Sequence, residues 1–180
     1  MLPEHKEIQS PYARGGEDGV VFGVYLSVLV FSMIFSMKMP LLNLVFIALV
    51  IFAPVLIFIM QRRYYVAEGG FVTKSALWMQ GLVMSGCGAL IAFALSFVYM
   101  RWINPDYLNE TFEMSLQTMR ESGVKELVDY GNEIEKATGG VNPTSAITFN
   151  MTMIWFVTLI GSVTALILSF FVSLIPVKQK

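Results

Sequence analysis

The side chains that could do chemistry in this sequence are few and scattered. Twelve methionines occur in 180 residues. Met37 with Met39 and Met151 with Met153 form Met-x-Met pairs, and Met100 falls at a comparable depth. Thioethers at that spacing are Cu(I) chemistry, but flexible methionine also fills gaps between helices, and gap filling is the plainer account here. Asp106, Glu110 and Glu113 recur at helical spacing and could pair an acid with a base; nothing beside them would desolvate them, so a solvated face accounts for them. The single histidine, His5, lies in a polar tail, where it reads as a solvated side chain. The single cysteine, Cys87, lies inside an apolar run, which excludes an intramolecular disulfide and a Cys-based metal site. No His-Glu-x-x-His, Gly-x-Ser-x-Gly or glycine-rich phosphate loop is present. No catalytic residue, metal or cofactor is expected, and the chain reads as a non-enzyme.

The elements that would have to position any site are unusually apolar. Hydrophobic residues make up 56% of the chain and charged ones 14%, well outside the globular average, and the mean hydropathy is +0.65. Residues 19–37, 39–61, 75–100 and 137–177 contain no Asp, Glu, Lys or Arg. Each run is long enough to span, since a ~30 Å bilayer core takes ~20 helical residues. The fold class follows: all-α, an integral membrane four-helix bundle with an amphipathic helical excursion between helices 3 and 4. The expected division is a tail over 1–18 and spanning helices near 19–37, 40–60 and 75–102 within 19–104. The excursion takes 105–141, the fourth helix 142–175, and a second tail 176–180. Asp18 reads as the N-cap of the first helix, Pro40 as the first residue of the second, and Asn142 with Pro143 as the start of the fourth. Pro54 should kink the second helix. Acidic residues in the first 18 positions and the lack of a small-residue cleavage site argue against a cleaved signal peptide.

In the excursion Leu108, Phe112, Leu116 and Met119 share one helical face, Gly123 breaks the pattern, and Val124, Leu127, Tyr130 and Ile134 form a second apolar side. This stripe should dock on the outer end of the fourth helix. Tyr64 and Tyr65, and Tyr99 with Arg101 and Trp102, are placed as interfacial residues. Lys6, Arg14, Arg62, Arg63, Lys74, Lys178 and Lys180 lie near helix ends on one side, and Lys38, Arg101 and Lys136 on the other, where the excursion carries eight acidic residues. The positive-inside rule then puts both termini in the cytoplasm of a bacterium and the excursion outside its inner membrane.

No ionisable group is expected at membrane depth, where a carrier or proton-coupled machine would keep one. Asn43, Gln80 and Asn150 are the polar candidates, and interhelical hydrogen bonding explains them more simply than a substrate path. The strongest pattern is of small residues: Gly81, Ser85, Gly88, Ala92 and Ser96 in the third helix, Gly161, Ala165, Ser169 and Ser173 in the fourth, and Gly19, Gly23 and Ser27 in the first. Such stripes allow close helix approach in lipid, within the monomer or against another subunit, with the first reading favoured.

With four spans, the Arg62-Arg63 edge, the Gly69-Gly70 turn leading through Thr73 to Ala76 and Gly81, and the helical excursion, the chain resembles the bacterial domain-of-unknown-function family numbered forty-one ninety-nine. That resemblance implies no activity and no catalytic residues. It does imply one candidate partner, a membrane glycosyltransferase that uses polyprenyl-phosphate sugars. The functional expectation is a non-enzymatic scaffold or partner subunit of a membrane complex. The rivals are a small transporter or channel and an accessory protein of such a transferase. The lipid bilayer is a partner in every case, and nucleic acid in none.

Overall fold

The computed structural model describes residues 9–36, 39–140 and 142–177. The expectations for His5, Lys6, Met37, Lys38, Lys178 and Lys180 lie outside them. Six α-helices and no strand occur among the described residues: α1 Pro11–Ser36, α2 Pro40–Ala67, α3 Lys74–Val98, α4 Tyr107–Glu121, α5 Lys125–Thr138 and α6 Ala146–Leu174. A π-helical turn, Tyr99–Ile103, follows α3. α1, α2, α3 with its π turn, and α6 are each long and apolar enough to cross a membrane. The chain is an all-α integral membrane helical bundle. Its residues form two compact units, one from Met1–Phe93 with Met153–Lys180 and one from Ala94–Thr152.

In the first unit, α1 begins at Pro11, eight residues before the expected start at residue 19. The Ser10 carbonyl accepts from Arg14 N–H at 3.0 Å, with Pro11 in the first helical position, where its missing N–H costs nothing. Asp18 is therefore a mid-helix residue and not a cap. Phe22, Leu26, Val30 and Ile34 recur at four and are buried. The same helix brings Gly15, Gly19 and Gly23 against α3. An added Cβ at Gly15 would stand 2.7 Å from the Gln80 carbonyl oxygen, at Gly19 2.7 Å from Cys87 Cβ, and at Gly23 3.0 Å from Ile91 Cβ.

α2 also outruns its expected end at residue 60 and continues to Ala67, passing Pro54 as one helix. The extension holds because its polar residues find partners. Arg62 donates from Nη1 to the Ile175 carbonyl at 2.7 Å and from Nη2 to the Pro176 carbonyl at 3.0 Å, satisfying free carbonyls at the end of α6. Tyr64, expected at the interface, is instead buried with Val72, Leu77 and Val172. Its hydroxyl donates to the Gln9 carbonyl at 2.7 Å. α3 starts where Thr73 Oγ1 accepts from Ala76 N–H at 3.2 Å, a side-chain cap.

The second unit contains the excursion. Gly123, at φ +71°, breaks α4 from α5, and Gly139, at φ +64°, ends α5 in the left-handed conformation that glycine adopts without strain. α4 turns Leu108, Phe112, Leu116 and Met119 inward, with Leu116 fully covered. Met119 meets Gly131 of α5, whose added Cβ would lie 3.3 Å from Met119 Cβ, and an Arg120–Glu135 ion pair joins the same two helices. Ile134 is half-buried, but Leu127, expected on the apolar face, is 43% exposed, and Val124 and Tyr130 are exposed too. Tyr130 lies off to the flank of the Gly131 side, whereas Leu127 stands one turn before Gly131 on that same side, and its exposure has no explanation in helical phase.

α6 starts at Ala146 and not at Asn142. Ser145 Oγ accepts from Thr148 N–H at 3.2 Å, the bond of a serine N-cap, whereas Asn142 Oδ1 accepts from Thr144 N–H at 2.8 Å in a turn. The Asn142 amide donates to the Leu108 carbonyl at 2.9 Å, tying the segment before α6 to α4.

Candidate functional site

The small-residue stripes meet one another inside the first unit. An added Cβ at Gly81 would overlap Ala165 Cβ, and one at Gly161 would overlap Ser85 Oγ, so α3 and α6 touch along Gly81, Ser85, Gly161 and Ala165. Gly88 faces α1: its added Cβ would stand 2.9 Å from Phe22 Cδ1 and 3.2 Å from Gly23 N. Ala92, Ala165 and Ser169 are fully buried as well. In lipid, apolar side chains gain nothing by leaving acyl chains for each other, so close backbone approach and hydrogen bonds hold such helices together.

Those hydrogen bonds join α1 to α3, α2 to α3 and α6, α3 to α6, and α1 to α2. Asp18, 6% exposed, accepts from Arg14 Nε at 3.1 Å and from Gln80 Nε2 at 2.7 Å. Arg14 also lies 3.6 Å from Glu17. Gln61 donates from Nε2 to the Leu77 carbonyl of α3 and the Ala165 carbonyl of α6, both at 3.0 Å. Trp78 Nε1 donates to Ser162 Oγ at 3.0 Å, and the Tyr25 hydroxyl donates to the Leu49 carbonyl. Among the described residues four buried oxygens have no protein partner, Gln61 Oε1, Gln80 Oε1 and Ser85 Oγ in this unit and Asn150 Oδ1 in the second. Polar oxygens enclosed this way are where an internal water or a small polar guest gains most.

This acid is what the sequence reading missed. Asp18 was placed at a helix end, which left no ionisable group within a span. The signal that finds it is Ser10-Pro11, a stronger helix start than Asp18-Gly19, after which Arg14 and Asp18 fall one turn apart on a single helix.

The chain belongs to DUF4199. The family, described as protein of unknown function, matches residues 17–174, from the residue before Asp18 to the last residue of α6. No curated protein and no solved structure matches the chain.

The remaining candidates of this DUF4199 chain fall into place separately. Asn150 donates to the Ala146 carbonyl at 2.8 Å and to Met100 Sδ at 3.6 Å, within the second unit. Ser96, at the end of the α3 stripe, is buried there and lies 4.0 Å from the same sulfur. Met100 is thus a buried acceptor, whereas Met39 and Met151 are exposed. No cluster of three or more His, Cys, Asp or Glu side chains occurs among the described residues. Asp106, Glu110 and Glu113 are exposed. Tyr99, expected at the interface, is buried edge-to-face against Tyr107, with ring centroids 6.3 Å apart. Burial raises the Tyr107 phenol above its ordinary pKa, against a smaller opposing effect of the Thr111 hydroxyl.

Proposed function

We propose that this protein is a non-enzymatic scaffold or partner subunit of a membrane complex, in a bacterial inner membrane with both termini cytoplasmic. The observation that carries the reading is the first half of α2. From residue 41 to residue 56 no side chain is buried, and Asn43 is exposed there with no hydrogen bond among the described residues. Acyl chains cover the apolar part of this face at no cost, but an amide facing lipid is relieved only by a polar partner or the headgroup layer. The small-residue stripes of α3 and α6 support the same reading, because they are filled within the chain and leave α2 to meet another subunit. Co-purification from mild detergent with mass spectrometry tests it. Asn43→Leu should lose a partner recovered with the unaltered protein while thermal stability holds. Undiminished recovery contradicts the reading; recovery of a polyprenyl-phosphate sugar transferase would name the complex.

A second reading, a small transporter or channel, draws support from the Arg14–Asp18–Gln80 cluster and the unpartnered Gln80 Oε1 within it. Buried acids in spanning helices are costly and usually functional. Ion or proton flux in vesicles holding the purified protein, abolished by Asp18→Asn, would establish this reading over the first.

A further inference from the structure

Two adjoining open grooves run along the C-terminal half of α2, one shared with the C-terminal half of α6 and one on α2 alone. One, of about 550 Å³, runs between Val55 and Phe58 of α2 and Leu168, Phe171 and Leu174 of α6. The other, of about 600 Å³, continues past the shared Phe58 along Ile59, Val66 and the stems of Arg62 and Arg63. Both volumes lie within the ~300–1,000 Å³ of ordinary ligand sites. The walls are apolar, and they belong to spanning helices.

Two guanidinium groups stand where the trough ends. Arg62 is held in place by the Ile175 and Pro176 carbonyls and lies 5.5 Å from the centre of the Tyr65 ring. Arg63 is exposed and joins no ion pair among the described residues. Glu68, in the loop that follows, is the nearest acid in sequence and pairs with neither arginine among the described residues. A long apolar trough ending in uncompensated guanidinium fits one kind of molecule, an amphiphile with an anionic phosphate head.

We propose that this trough binds an anionic phospholipid of the bilayer, with an acyl chain between α2 and α6 and the phosphate on Arg63, seated beside the fixed Arg62. A membrane lipid is favoured over a soluble phosphate because the apolar walls account for most of the site and only a chain would fill them. An anionic head is favoured over a zwitterionic one because no acid among the described residues pairs with Arg63. The site is independent of the partner-subunit reading, which concerns the other half of α2.

The test offers the purified full chain equal mole fractions of phosphatidylglycerol and phosphatidylcholine in mild detergent and counts retained lipid by native mass spectrometry. The unaltered protein should keep phosphatidylglycerol preferentially. Arg63→Gln should cut that preference about fivefold, the factor expected for one interfacial basic residue, with unchanged thermal stability in phosphatidylcholine. Val55→Trp, which fills the trough from an exposed position, should reduce retention of both lipids. Equal retention of the two lipids by the unaltered protein, or an undiminished preference in Arg63→Gln, would overturn the proposal. Displacement of the lipid by millimolar inorganic phosphate would overturn it too, because it would mark a soluble-anion site.

Discussion

Alanine at Gly15 and alanine at Gly16 are the same chemical change at neighbouring positions of α1, and the structure assigns them opposite effects. In a formed helix, each replacement gains about 0.8–1.0 kcal/mol of intrinsic propensity. At Gly16 that gain stands alone, because an added Cβ meets nothing within 4 Å. At Gly15 the Cβ would lie 2.7 Å from the Gln80 carbonyl oxygen and 2.9 Å from Val83 Cβ. Backbone carbonyl cannot rotate away, so α1 must shift from α3, and overpacking of this kind costs about 1–3 kcal/mol. Gly16→Ala should therefore stabilise by nearly 1 kcal/mol, and Gly15→Ala should be neutral to destabilising by about 2 kcal/mol. At about 2–4 °C per kcal/mol for a chain of this size, the two midpoints should separate by several degrees. Thermal unfolding of both variants in one detergent, followed by circular dichroism, reads the difference. A loose tail before Asp18 would make both changes nearly silent. Equal midpoints would refute the early start of α1 and its close approach to α3.

Other expectations follow from the braces. Asp18→Leu removes one partner of a buried pair and leaves Arg14 with the exposed Glu17; a loss of about 3 kcal/mol is expected, read as a lowered denaturation midpoint, and a loss below 1 kcal/mol would mean the pair is hydrated. Arg62→Ala frees the carbonyls at the end of α6 and should speed amide exchange near residues 172–177, at a cost of about 1–2 kcal/mol, without altering exchange in α5. Tyr107 has its pKa raised by burial, so the folded state keeps its proton where the unfolded chain has lost it. Stability should then fall as pH rises above 10, through the raised value, and Tyr107→Phe should flatten that fall in chemical denaturation at stepped pH.

The four spans were legible because charge-free runs of spanning length leave little choice, and the excursion was legible because Leu108, Phe112, Leu116 and Met119 keep helical period between Asn104-Pro105 and Gly123. The helix ends were harder to read. Charge marks those ends in the sequence, yet Asp18, Arg62 and Arg63 lie within helices: Ser10-Pro11 starts α1 ahead of Asp18, and Asp18 and Arg62 find partners distant in sequence, Gln80 and the α6 carbonyls. The stripes announced close contacts, but which faces touch depends on the rotation of each helix, which spacing alone does not give. Leu127 shows a further limit: it shares a side of α5 with Gly131, which meets Met119 of α4, yet it stays exposed.

Cysteine accessibility tests the topology on which the proposed function rests. In a Cys87→Ser background, single cysteines at Gln9, Glu121 and Val177 are probed in intact cells with a membrane-impermeant maleimide. Four spans with both termini inside predict labelling at Glu121 alone, and at all three positions after permeabilisation. Labelling at Gln9 or Val177 in intact cells, or protection at Glu121, would contradict the account.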